Sequence, residues 1–101
     1  MSQTKLKNFA DALPTFWKSR IVAQAGNSNI KILKMDGQSY PAETHDYAEA
    51  LIVLDGKMFL TVEGEPVEVP AGEMYLMRAG VAHAVEPGSH GTLMIVDPAV
   101  A

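Results

Sequence analysis

The chain has 101 residues and a mass of 10.9 kDa, which suits one compact domain. Its 48% apolar and 20% charged residues make ordinary globular composition rather than that of a disordered chain. Twelve acidic residues against eight Lys and Arg leave a net charge of −4 with no basic run, which excludes phosphate neutralisation as a route to nucleic acid. The absence of cysteine excludes disulfide scaffolds, thiolate zinc sites and thiol nucleophiles, so a metal site must use His, Asp or Glu, with three His available.

Residues 1–20 read as an N-terminal arm and residues 21–101 as a single β domain. No apolar run follows Lys5 and Lys7, so the start does not read as a secretory signal. No stretch approaches the roughly 20 apolar residues of a membrane helix. A cytoplasmic location is therefore expected, with no nucleic-acid or membrane partner. In the arm, Asn8 is placed to cap a short helix through Phe9–Leu13, which Pro14 then disturbs. Phe16 and Trp17 are expected to pack on the main body or on a second subunit.

Beyond Arg20 the pattern becomes that of short strands. Ile21–Ala23 is an apolar run, and in Ile30–Met35 the alternation puts Ile30 and Ile32 on one face with Lys31 opposite. Asp36-Gly37 closes that run. Ala50–Leu54 is apolar on both faces and predicts a central strand covered on both sides. Asp55-Gly56 is expected to turn it into Lys57–Val62, and Gly64-Glu65-Pro66 to turn again into Val67–Val69. Met74–Met77, Ala82–Val85 and Thr92–Val96 complete the series. Many short strands with turns about every 8–12 residues predict an all-β sandwich or barrel.

The chemistry concentrates in Glu43-Thr44-His45-Asp46-Tyr47-Ala48-Glu49. On a strand Glu43 and His45 share a face, and Glu49 has the same parity. A bend between His45 and Glu49 allows all three to aim at one point. His83, between Ala82 and Ala84, reads as an inward group with space around it. Two carboxylates and two imidazoles suit Mn, Fe(II), Co, Ni or Zn and leave room for a substrate on the ion. Burying these groups without a cation costs several kcal/mol or forces protonation, so joint inward placement favours a metal. Tyr47 and Arg78 are weaker candidates, for orienting substrate or holding a substrate carboxylate. Tyr40, Tyr75, Phe59 and the methionines read as core, His90 as a turn residue, and Glu63, Glu65 and Glu68 as a solvated acidic hairpin.

This arrangement resembles a small single-domain cupin. Gly37 stands near the start of a first motif in which Glu43-Thr44-His45 replaces His-x-His. Glu49 follows after three residues and Gly56 after six more. Gly72 opens a second motif in which Arg78-Ala79-Gly80 replaces Pro-x-Gly, His83 falls in register, and Pro87 stands in place of Asn. The resemblance implies a jelly-roll barrel (a double-stranded β-helix) with Glu43, His45, Glu49 and His83 as ligands of a divalent transition metal. It also implies a homodimer that uses the N-terminal arm. The leading expectation is a metal-dependent enzyme of dioxygenase, isomerase or decarboxylase type on a small polar or aromatic metabolite. The alternative is a non-catalytic module that binds or senses a small molecule in the same barrel.

Overall fold

The computed structural model describes residues 2–99; Met1 of the arm and the last two residues of the 21–101 domain lie outside them. One short helix, α1 (Leu6–Asp11), precedes eight strands: β1 (Arg20–Ala25), β2 (Ser28–Asp36), β3 (Tyr40–Glu43), β4 (Glu49–Val62), β5 (Glu65–Pro70), β6 (Met74–Met77), β7 (His83–Val85) and β8 (His90–Pro98). All the strand pairs are antiparallel and belong to one curled sheet, ordered β1-β2-β8-β4-β7-β3, with β5 and β6 also paired to β4. The all-β expectation agrees with this architecture. No helix among the described residues is long and apolar enough to cross a membrane.

β4 organises the sheet. Its first half pairs with β6 and β8, and its second half with β5 and β7. Here the structure corrects the sequence reading, because Asp55-Gly56 does not turn the chain. It forms a bulge within one 14-residue strand, where the pairing with β8 shifts between Val53 and Asp55. The extra residue changes the parity of burial: Glu49, Leu51 and Val53 are buried before it, and Met58, Leu60 and Val62 after it. Only one face of Ala50–Leu54 is buried, and Leu54 is exposed on the other. The bulge depends on a glycine pair. A Cβ on Gly56 would overlap the carbonyl oxygen of His90, and one on Gly91 that of Asp55.

Two other boundaries differ from expectation. α1 starts earlier than expected, capped at Lys5, so Asn8 lies inside the helix. The β4–β5 hairpin turns at Glu63-Gly64, both left-handed (φ 50° and 83°), which suits the twist of a two-residue connection.

The apolar residues form two layers. The barrel interior is filled by side chains such as Val53, Met58, Leu60 and Met77. On the outside of β2, Ile32 is fully buried beneath Ala10 and Leu13 of the arm. The two faces of β2 are therefore assigned opposite to a simple reading. Ile32 turns outward under the arm, while Lys31, Leu33 and Met35 carry the other parity, and Leu33 and Met35 belong to the interior cluster. Trp17 also packs against the interior cluster, whereas Phe16 stays about half exposed.

Candidate metal centre

β3, a strand expected around Glu43, places Glu43 directly across from His83 of β7, and Val62 of β4 pairs with His83 on its other side. The backbone before His83 is pinned twice to the β4–β5 turn. Ala82 N–H donates to the Glu63 carboxylate (3.0 Å), and Glu63 N–H donates to the Ala82 carbonyl (2.9 Å). Glu63 is exposed, as expected, and also positions the backbone before His83. His45 lies past the end of β3, in a connection held by Gly80 N–H donating to its carbonyl (2.8 Å). Burial nevertheless alternates from Glu43 through His45 to Glu49, so the parity expected of a strand persists past the end of β3, and the bend lies at Asp46-Tyr47. Glu49 opens β4, aimed inward by the same alternation that buries Leu51 and Val53.

These elements bring four groups together. One donor atom each from Glu43, His45 and His83 lies within 4.8 Å of the other two. His45 Nε2 is 3.5 Å from Glu43 Oε2 and 3.9 Å from Glu49 Oε1, and His83 Nε2 is 3.8 Å from the same Glu49 oxygen. The His83 ring is oriented by a hydrogen bond. Its Nδ1 lies 3.0 Å from the Val81 carbonyl, which can only accept, so Nδ1 carries the proton and neutral His83 keeps its lone pair on Nε2. His45 stacks on Tyr47, with centroids 4.9 Å apart and planes 15° from parallel.

Glu49 and His83 are both buried. Burial raises the Glu49 carboxyl above its ordinary 4.5; His45 and His83 pull it back, and Asp97 and Glu43 push it further up. Partial burial, followed by the charge of Glu49, likewise raises the Tyr47 hydroxyl, which keeps it a proton donor at neutral pH.

All four groups line one cavity of about 200 Å³. Its floor is apolar, formed by Leu33, Leu51, Met58, Leu60 and Leu93. Tyr40, expected in the core, instead lines the cavity at an exposed position and stacks on Trp17 (5.7 Å). Tyr47 lines it too. Arg78 is exposed and is absent from the lining: it follows the buried Met77, and side-chain alternation turns it outward. His90 is exposed, as expected, but it is the first residue of β8, paired with Asp36 and Lys57, rather than a turn residue. Two charged lining residues escaped the sequence reading, Lys31 and Asp97. Their signal was parity, because Lys31 shares a face with Leu33 and Met35, and Asp97 with Leu93 and Ile95.

The family profile described as a cupin domain matches residues 32–97, a segment that runs from β2 to the end of β8 and contains all four groups. The chain belongs to the cupin family. Over 60 residues, 58% of its length, this cupin is 35% identical to quercetin 2,3-dioxygenase of Bacillus subtilis (strain 168), and it spans 18% of that enzyme. The barrel is similar to a cupin-2 domain containing protein from Shewanella frigidimarina NCIMB 400, with a TM-score of 0.80 and 25% identity over 87% of this chain and 86% of that one. It is also similar to a protein of Neisseria meningitidis, with a TM-score of 0.83 and 20% identity over 96% and 99% of the two chains.

Proposed function

We propose that this cupin is a divalent-metal-dependent enzyme acting on a small polar or aromatic metabolite inside the barrel, by chemistry of the dioxygenase, isomerase or decarboxylase kind. The observation that carries the reading is the convergence of Glu43, His45 and His83 within 4.8 Å, with Glu49 within 3.9 Å of both imidazoles. The donor set fits a divalent transition ion, since two carboxylates balance its charge and two imidazoles add borderline nitrogen ligands. The raised Glu49 carboxyl fits as well. A buried acid beside two other carboxylates lacks countercharge, and a cation would supply it.

Glu43, His45, Glu49 and His83 would hold the ion. When bound, it would act as a Lewis acid on a substrate oxygen. The chain itself supplies the rest. The Val81 carbonyl fixes the His83 tautomer, Tyr47 fixes the plane of His45 and offers a hydroxyl proton, and the leucine floor excludes water from the reacting face. Likeness to a quercetin 2,3-dioxygenase over the matched segment supports an oxygenase among the candidate chemistries.

Elemental analysis of protein purified without chelators or a His tag tests this reading. One ion per chain is expected in the parent, lost in Glu43→Ala and in His83→Ala. No ion in the parent after reconstitution with Mn, Fe(II), Ni and Zn would overturn the metal-dependent enzyme in favour of a non-catalytic binding module.

A further inference from the structure

Lys31 and Asp97 line the same cavity, and the proposed metal role uses neither. The strand registers place them next to it. Ala50 pairs with Val96 and Leu51 with Ile95, so one further step along the ladder sets Glu49 opposite Asp97. On the other side of β8, Lys31 pairs with Ile95, diagonal to Asp97. Asp97 is 5% exposed, and its Oδ2 accepts a hydrogen bond from Lys31 Nζ at 2.8 Å. Its Oδ1 is buried and accepts none. A buried acceptor without a donor is costly, the more so when it is charged. Asp97 lines the cavity, and the broad torsion of a carboxylate lets it turn this oxygen toward a donor on an occupant.

The charges point to the kind of occupant. Lys31 balances Asp97, and the two glutamates would balance a divalent ion, which leaves no positive charge to hold an anion. Arg78, the side chain read as a carboxylate anchor, lies outside the cavity lining. The floor is apolar, and about 200 Å³ is less than the roughly 300 Å³ at which pockets for drug-sized ligands begin.

We propose that Asp97, held by Lys31, is the substrate-recognition group of the cavity, and that it selects a compact neutral alcohol or phenol by accepting the ligand's O–H. The proposal shares its cavity with the metal reading and deepens it, but recognition by Asp97 does not require the ion.

The test compares phenol with anisole, which replaces the donating hydrogen with a methyl group. Calorimetric titration of the full chain as purified is expected to favour phenol by about tenfold or more, the scale of a hydrogen bond to a charged acceptor. In Asp97→Asn, Lys31 has only protons to offer, so the amide oxygen must stay on Lys31 and the amide N–H₂ replaces the free acceptor. Phenol preference is then expected to vanish or reverse, with anisole binding retained. Equal affinities in the parent, no measurable phenol binding, or a phenol preference that survives in Asp97→Asn would each overturn the proposal. If Asp97→Asn does not fold, the paired variant Lys31→Met/Asp97→Leu, which removes the ion pair whole, takes its place, with the same loss of phenol preference expected. Metal content measured on the same samples separates the two readings. A parent without metal that prefers phenol sinks the metal role alone. A metal-loaded Asp97→Asn that still prefers phenol sinks the recognition role alone.

Discussion

Glu49 is buried beside two imidazoles and near two further carboxylates. Its carboxyl is raised above 4.5 in the fold, so the folded chain holds that proton more tightly than the unfolded one. The corresponding stability is present below about pH 4.5 and is lost as pH rises through the folded-state value. In chelator-treated protein, Glu49→Gln is therefore expected to have a higher urea midpoint than the parent at pH 7 and the same midpoint near pH 4. A lower midpoint at pH 7 would show that the carboxylate stabilises the metal-free fold. At this scale the sequence was readable where chemistry is rare. Glu43, His45, Glu49 and His83 stood out as ionisable groups in or beside apolar runs, and the fold brings all four to one cavity. Lys31 and Asp97 did not stand out. A charge in an alternating strand reads as solvent-facing, and only the packing of Ile32 under the arm shows which face of β2 turns inward.

At the scale of elements, the bulge in β4 matters most. Asp55-Gly56 has the composition of a hairpin turn, and sequence alone reads it so. The alternative is a long bent strand that needs a partner approaching too closely for a Cβ, and that partner, Gly91, lies far along the chain. Gly56 is also left-handed at φ 80°, so both conformation and contact oppose a side chain there. Gly56→Ala is expected to destabilise the fold by about 2–3 kcal/mol in urea unfolding. A change below about 0.5 kcal/mol would mean that the two strands separate freely at this point. The bounds of β3 were not legible for a related reason. Tyr40-Pro41-Ala42-Glu43 has little strand character of its own, and its pairing with β7 holds it extended. Its position nevertheless sets the site, because Glu43 reaches His83 across that pairing.

At the scale of the whole molecule, the outward face of β6 is unusual. Met74 is 59% exposed and Leu76 41%, with Leu54 of β4 and Ile21 of β1 also exposed. A chain this short gains much from covering such a surface with a second copy. We propose a homodimer on that basis. Of the arm, Ala10 and Leu13 are already buried on their own β2, while Phe16 remains exposed. Sedimentation of the parent is expected to give twice 10.9 kDa, and Leu76→Lys the monomer mass with an unchanged circular dichroism spectrum. A monomeric parent at tens of micromolar would remove the dimer.

Local information was enough for the strand periodicity, the turn-forming glycines and the spacing of the ionisable residues, since each is written in residues close together along the chain. These determined the all-β class, the family resemblance and the four candidate ligands. Long-range pairing decided the rest. It joined two runs into β4 through a glycine contact with β8, chose the inward face of β2 by seating α1 on Ile32, and turned Arg78 out of the cavity. It also set Asp97 beside Glu49, with one carboxylate oxygen lacking a donor. Such outcomes depend on which distant strand lies alongside, and a neighbour across the sheet has no fixed offset in sequence.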